Sequence, residues 1–175
     1  ANLRMTNDNH AQILNREAVL AVDAAAQIDD ILAMPDHIED ALWRAESAML
    51  VPASQPAKAL VVCGMGGSAI GADLATALAG DRAQRPICVV RGYDLPSWAD
   101  AETAVLCASY SGNTEETLSC YEQATDLGAS VYVVSSGGVI SERAHAAGIP
   151  VIGLPGILQP RCAVAYGVVG TLEVA

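Results

Sequence analysis

The chain has 175 residues, 52% of them hydrophobic, enough for one α/β domain with a helical appendage and no need of disulfide staples. Its net charge of −11 is spread evenly: residues 1–58 carry four basic and nine acidic side chains, residues 59–175 five and eleven, and Lys58 is the only lysine. With no basic stripe, nucleic acid and anionic membrane surfaces are excluded as expected partners. No apolar run is long enough to span a bilayer and no signal peptide is visible, so the expected setting is soluble and cytoplasmic. The five cysteines (Cys63, Cys88, Cys107, Cys120 and Cys162) form no CxxC pair and keep no metal-like spacing. They read as small apolar residues of a reduced chain, with neither metal nor redox cofactor expected.

Residues 1–9 are polar and read as a frayed end. From His10 to about Met34, Ile13, Leu14, Ala18, Val22, Ala25 and Ile28 fall near one face of a helix. Pro35 suits the first turn of a second helix carrying Ile38, Leu42, Ala45 and Met49. The segment Val51-Pro52-Ala53-Ser54-Gln55-Pro56 reads as a linker. His10 and His37 read as surface histidines, because no second ligand keeps metal spacing with either. Residues 1–56 are thus expected to form a helical extension and residues 57–175 a separate domain.

From Ala59 the rhythm is strand, turn, helix. The first strand is Ala59–Cys63, followed by a tight turn at Gly64-Met65-Gly66-Gly67-Ser68. The helix from Ala69 to Ala79 closes at Gly80 and, with Asp73 and Thr76 its strongly polar positions, is expected to be covered nearly all round. Ile87–Val90 and Thr103–Ala108 make strands two and three. A helix then runs to about Leu127, stopped by Gly128. Strand four, Ser130–Val134, leads through Ser135-Ser136-Gly137-Gly138 into a short helix ending at Ala147, with His145 on a solvated face. Gly137 and Gly138 read as a plain turn. Strand five is Pro150–Leu154. An apolar segment, Cys162–Ala175, includes Gly167 and Gly170 and shows no stop signal; it reads as a helix that needs a second packing surface.

Alternating strands and helices imply an α/β fold, a doubly wound five-stranded parallel sheet of flavodoxin-like order 2-1-3-4-5. Its switch point lies between strands one and three, where ligands bind outside the carboxyl ends. Those ends carry Gly64–Ser68 and Ser109-Tyr110-Ser111-Gly112-Asn113-Thr114. The second stretch joins a strand to a helix N-terminus through small hydroxyl residues and one glycine, the parts of an anion site. Thr114 as an ordinary N-cap is the alternative. Glu115 and Glu116 suit the helix dipole but would repel a bound phosphate, and are expected to point away.

Gly64-Met65-Gly66-Gly67-Ser68-Ala69 also matches G-x-G-x-x-A, a dinucleotide fingerprint. Strand two ends in Arg91 instead of the acid that contacts a ribose, which suits only NADP and leaves the hydroxyl loop unexplained. A phosphate held by Ser109, Ser111 and Thr114, with a sugar lying across Gly66, Gly67 and Ser68, uses both loops.

The segments CGMGGSAIG (Cys63–Gly71), RGYDLP (Arg91–Pro96), SYSGNTEETL (Ser109–Leu118), SSGG (Ser135–Gly138) and QPR (Gln159–Arg161) closely resemble the bifunctional phosphoglucose/phosphomannose isomerases of the sugar isomerase (SIS) superfamily. The resemblance spans most of residues 35–175 and implies interconversion of glucose 6-phosphate or mannose 6-phosphate with fructose 6-phosphate. It implies phosphate contacts from Ser109, Ser111 and Thr114 and sugar contacts from Gly67 and Ser68. Arg161 matches the arginine that steadies charge on the enediol(ate) intermediate. The resemblance also implies a homodimer. In that family the glutamate base, a ring-opening histidine from the partner subunit and a lysine come from a second SIS domain. The chain accordingly reads as the N-terminal half of an isomerase, nearly inactive by itself. A non-catalytic sugar-phosphate sensor is the alternative, though the acidic residues 1–58 contain no basic DNA-binding unit.

Overall fold

The computed structural model describes residues 15–50 and 56–175. The expectations for His10, for the frayed residues 1–9 and for the linker residues 51–55 lie outside the described residues. In chain order the helices and strands are α1 (Arg16–Val22), α2 (Gln27–Leu32), α3 (Met34–Ser47), β1 (Ala59–Gly64), α4 (Gly66–Ala79), β2 (Ile87–Val90), β3 (Thr103–Ser109), α5 (Glu115–Asp126), β4 (Ser130–Ser135), α6 (Gly138–Ala146), β5 (Val151–Gly153) and α7 (Val164–Val174).

All five strands are parallel, in the order β2-β1-β3-β4-β5. The sequence predicts this order, and the composition explains it. Every residue of β1 and of β3 is buried, as central strands covered on both faces require. Leu60, Val62, Leu106 and Val134 face a layer formed by α3, α4 and α7. Val61, Cys63, Val105, Cys107 and Val133 face Cys120, Tyr121 and Ala124 of α5 and Ile140 and Ala144 of α6. Cys63, Cys107 and Cys120 are core fillers, and contact with the Cys107 thiol together with burial pushes the Cys63 thiol upward.

Register sets the site. Gly64 pairs with Ala108 and Ser109 with Ser135, so the loops after β1, β3 and β4 leave neighbouring strands at nearly one level.

Three expectations are corrected. The single helix to Met34 is broken between Val22 and Gln27, because the Asp23 carboxylate accepts hydrogen bonds from the backbone N–H of Gln27 (2.9 Å) and Ile28 (2.8 Å), and Ala26 turns to a φ of 52°. The helix after β1 starts at Gly66, so Gly66–Ser68 form its first turn; it is not covered all round, since Ile70, Leu74 and Leu78 are 45–56% exposed. Burial there falls to Ala69, Gly71, Ala72 and Ala75, the small residues that let another helix come close. That helix is α7, and its apolar tail finds its packing surface within this chain. A Cβ on Gly71 would lie 2.8 Å from Gly167, and Tyr166, Val169 and Thr171 are buried.

Candidate functional site

The loop after β3 is built from its own hydroxyls. Ser109 is 2% exposed and its Oγ lies 2.9 Å from Thr114 Oγ1, while the Gly112 N–H donates to it at 3.1 Å. Asn113 N–H donates to Ser111 Oγ at 3.2 Å, and Ser111 itself is exposed. Thr114 occupies the N-cap position of α5, yet its side chain makes no bond to the helix's first turn. The ordinary-cap reading therefore fails. The hydroxyl is spent on Ser109, and the leading amides of α5 have no side-chain acceptor, which is the arrangement that suits an anion.

This loop is locked to the one after β4. The Ser136 hydroxyl donates to the Tyr110 carbonyl at 2.6 Å, Ile140 N–H to Gly112 O at 3.0 Å, and Val139 N–H to Asn113 Oδ1 at 3.0 Å. A Cβ on Gly112 would sit 1.8 Å from Gly137 O, and one on Gly138 2.4 Å from Ser111 O. Gly137 and Gly138, expected to be a plain turn, pack directly against the hydroxyl loop. Glycine at both Gly112 and Gly138 was the signal; Ser136 and Asn113 were missed because their partners are backbone groups of another loop.

The loop after β1 meets the same point. Tyr110 N–H donates to Ser68 Oγ at 3.3 Å, joining the glycine-rich turn to the hydroxyl loop. Met65, at the N-cap of α4, offers no side-chain acceptor either, so neither α4 nor α5 has a side-chain cap. Gly67 faces the loop between β5 and α7: a Cβ there would stand 3.1 Å from Pro160 O and 3.5 Å from Arg161 Cα. The Tyr110 hydroxyl reaches the same loop, 2.6 Å from Leu158 O and 3.0 Å from Pro155 O. Beneath these contacts, between Ser68, Tyr110, Pro160 and Gly167, the cavity measures about 10 Å³, room for one water at most. Above it, Gly66 and Ser111 are exposed.

Arg161 is exposed beside Gly67. Arg91, the residue a dinucleotide reading needs for a 2′-phosphate, is paired with Asp73 of α4. The carboxylate of Glu115 lies 3.5 Å from the Tyr93 hydroxyl, at the RGYDLP loop; Glu116 first, then burial and Glu115, push the Tyr93 phenol upward. That loop is fastened to α5 by Gln123, which donates to Tyr93 O at 2.6 Å and accepts from Leu95 N–H at 3.1 Å. His145 is exposed on α6. Among the described residues no three His, Cys, Asp or Glu side chains are placed to hold a metal, and no helix is long and apolar enough to cross a membrane.

The parallel sheet of order 2-1-3-4-5 is shared with a putative phosphosugar isomerase from Clostridium difficile, which superposes with a TM-score of 0.62 at 15% identity, covering 83% of this chain and 44% of that one. One solved structure, a hypothetical protein from Thermus thermophilus, superposes with a TM-score of 0.65 at 18% identity, covering 95% of this chain and 45% of that one. In sequence, the chain is a relative of the bifunctional phosphoglucose/phosphomannose isomerases. It is 36% identical over 144 residues to that enzyme of Caldicellulosiruptor bescii, covering 82% of this chain and 42% of that protein. With the Thermoplasma acidophilum enzyme it shares 42% identity over 107 residues, 61% of this chain and 32% of that protein. The chain thus spans less than half the length of these relatives. No family model matches it.

Proposed function

We propose that this chain forms the sugar-phosphate-binding part of an aldose–ketose isomerase acting between glucose 6-phosphate or mannose 6-phosphate and fructose 6-phosphate. The observation that carries the reading is that the first turn of α4 and the loop before α5, neither with a side-chain cap, are joined by the Tyr110–Ser68 hydrogen bond. Ser109, Ser111, Thr114 and the first amides of α5 bind the phosphate dianion; Ser109 and Thr114 share one hydrogen bond, so that pair leaves one hydroxyl proton for the phosphate beside the Ser111 hydroxyl and the amides. Gly66, Gly67 and Ser68 meet the sugar. Arg161, across Gly67, steadies negative charge as the C1–C2 enediol(ate) forms.

Isomerisation moves a proton between C1 and C2 and opens the ring, which needs a base and an acid. Glu115 turns to Tyr93, and neither His37 nor His145 is at the crevice. Both groups are therefore assigned to the part of the relatives that this chain does not span, a second SIS domain, within a homodimer. Residues 1–56 serve as the helical extension and residues 57–175 as the SIS domain. A cytoplasmic setting follows from the substrates.

The test is a thermal-shift series on the 175-residue chain. Fructose 6-phosphate should raise the midpoint, while fructose and NADP should not, because only a ligand of the native state stabilises it. A shift with NADP alone would overturn the sugar-phosphate reading. Rapid turnover by this chain alone would overturn the assignment of the base elsewhere.

A further inference from the structure

The loop that carries Arg161 packs Leu158 against the α3–α4–α7 layer and is otherwise largely open to solvent. Gly156 and Ile157 are exposed, Ile157 by 92%, and Gln159, Pro160 and Arg161 are exposed as well. Inside the loop the bonds are short-range: Cys162 N–H to Gln159 O at 2.8 Å and Ala163 N–H to Pro160 O at 3.3 Å. What fastens it to the hydroxyl loop is one phenol. Tyr110 directs its proton at Leu158 O, 2.6 Å away, with Pro155 O at 3.0 Å sharing it. Two carbonyls three residues apart are thereby pinned by a single side chain. The same residue's backbone is gripped on both sides, its N–H donating to Ser68 Oγ and its carbonyl accepting from the N–H and hydroxyl of Ser136. Its ring is packed against the α3–α4–α7 layer. Burial pushes the phenol upward, so it remains a donor throughout the neutral range.

We propose that Tyr110 is a positioning residue: its hydroxyl fixes the Pro155–Arg161 loop against the hydroxyl loop and so sets where the Arg161 guanidinium stands relative to the bound phosphate. The proposal rests on the reading of Arg161 given above. The physical reason is distance control. A phosphate held at α5 fixes one end of an extended sugar phosphate, and the reacting carbons lie several bonds away. An arginine that must meet the charge developing there is useful only if its own backbone keeps a fixed distance from the phosphate cradle. Tyr110 is the side chain that spans those two elements. A phenylalanine would fill the same volume and keep both backbone bonds, so the hydroxyl's part is separable from the ring's.

Two measurements on the 175-residue chain test this. The first is limited trypsin cleavage of the Arg161–Cys162 bond, which reads the freedom of the loop without any ligand. Tyr110→Phe should speed it severalfold; an unchanged rate overturns the proposal whatever Arg161 does. The second is calorimetric titration with 5-phospho-D-arabinonate, whose carboxylate imitates the charge of the enediolate, and with inorganic phosphate. Arg161→Ala should weaken the arabinonate about tenfold and Tyr110→Phe about fivefold, both leaving inorganic phosphate unchanged. The double variant should bind no more weakly than Arg161→Ala alone. If Arg161→Ala weakens binding and Tyr110→Phe does not, or if the two losses add, the positioning role is overturned and the arginine's role stands. If Arg161→Ala changes nothing, the reading of Arg161 itself is overturned.

Discussion

The loops Ser109–Thr114 and Pro155–Arg161 border one crevice and are held in opposite ways. The first is held by its backbone: Gly112 is so close to Gly137 that a single methyl would not fit, and amides and carbonyls bond across to the neighbouring loop. The second lies largely in solvent and is held by the Tyr110 phenol, by Leu158 against the core and by contact with Gly67. A phosphate dianion requires several donors pre-set around it, which rigid backbone supplies at no cost at the moment of binding. A single guanidinium requires only that its base be anchored. On the proposed reading, many backbone contacts fix the loop where several donors must agree, and a side-chain anchor suffices where one guanidinium acts.

The difference can be broken most severely at Gly112. Gly112→Ala places a Cβ 1.8 Å from Gly137 O at a residue with φ +69°, and should cost about 3 kcal/mol or more of stability in urea unfolding. Gly71→Ala comes next. Its Cβ would stand 2.8 Å from Gly167 and push apart α4 and α7, the helices that follow the glycine-rich turn and Arg161; a loss of about 1–3 kcal/mol is expected.

Acid should loosen the second loop more than the first. Its flanks, Gly153 and α7, are tied to α3 through Arg44, which donates to Gly153 O, and through Tyr166 and Arg44, which both donate to Asp40. Burial raises the Asp40 carboxyl, but these donors outweigh it and hold it below its ordinary value. A lowered folded value means the contribution is complete above about pH 4 and is lost as pH falls through the folded value. Stability should therefore drop below that pH in the parent chain, and less in Asp40→Asn, as a pH series of unfolding midpoints would record. The smallest effect is expected at Gly156→Ala, where a Cβ meets nothing within 4 Å. A change beyond about 0.5 kcal/mol there would contradict the contrast between the loops.

Most of this architecture was legible in the sequence because parallel strands buried on both faces must be apolar throughout, and Leu60–Cys63 and Ala104–Ala108 are. The hydroxyl loop stood out as a candidate site because Ser, Gly and Thr at a strand–helix junction suit an anion. The break before Gln27 was not, since Ala24-Ala25-Ala26 favour helix and the interruption comes from a local carboxylate. Nor was the open face of α4: an all-apolar pattern does not say which side a glycine and three alanines will bury. Tyr110 sat inside the quoted motif, but its bonds to Pro155 and Leu158 reach 45 and 48 residues ahead, and no local pattern reports them.

The most direct test of the central assignment is calorimetric titration of fructose 6-phosphate into the parent chain and into Ser111→Ala. Ser111 is exposed at the cradle, and its side chain is tied only lightly, to Asn113 N–H at 3.2 Å, so the fold should survive the change. A lost hydrogen bond to a charged group predicts affinity weaker by about tenfold or more, with fructose bound poorly by both chains. Equal affinity of the two chains for fructose 6-phosphate would contradict the assignment of this loop as the phosphate site.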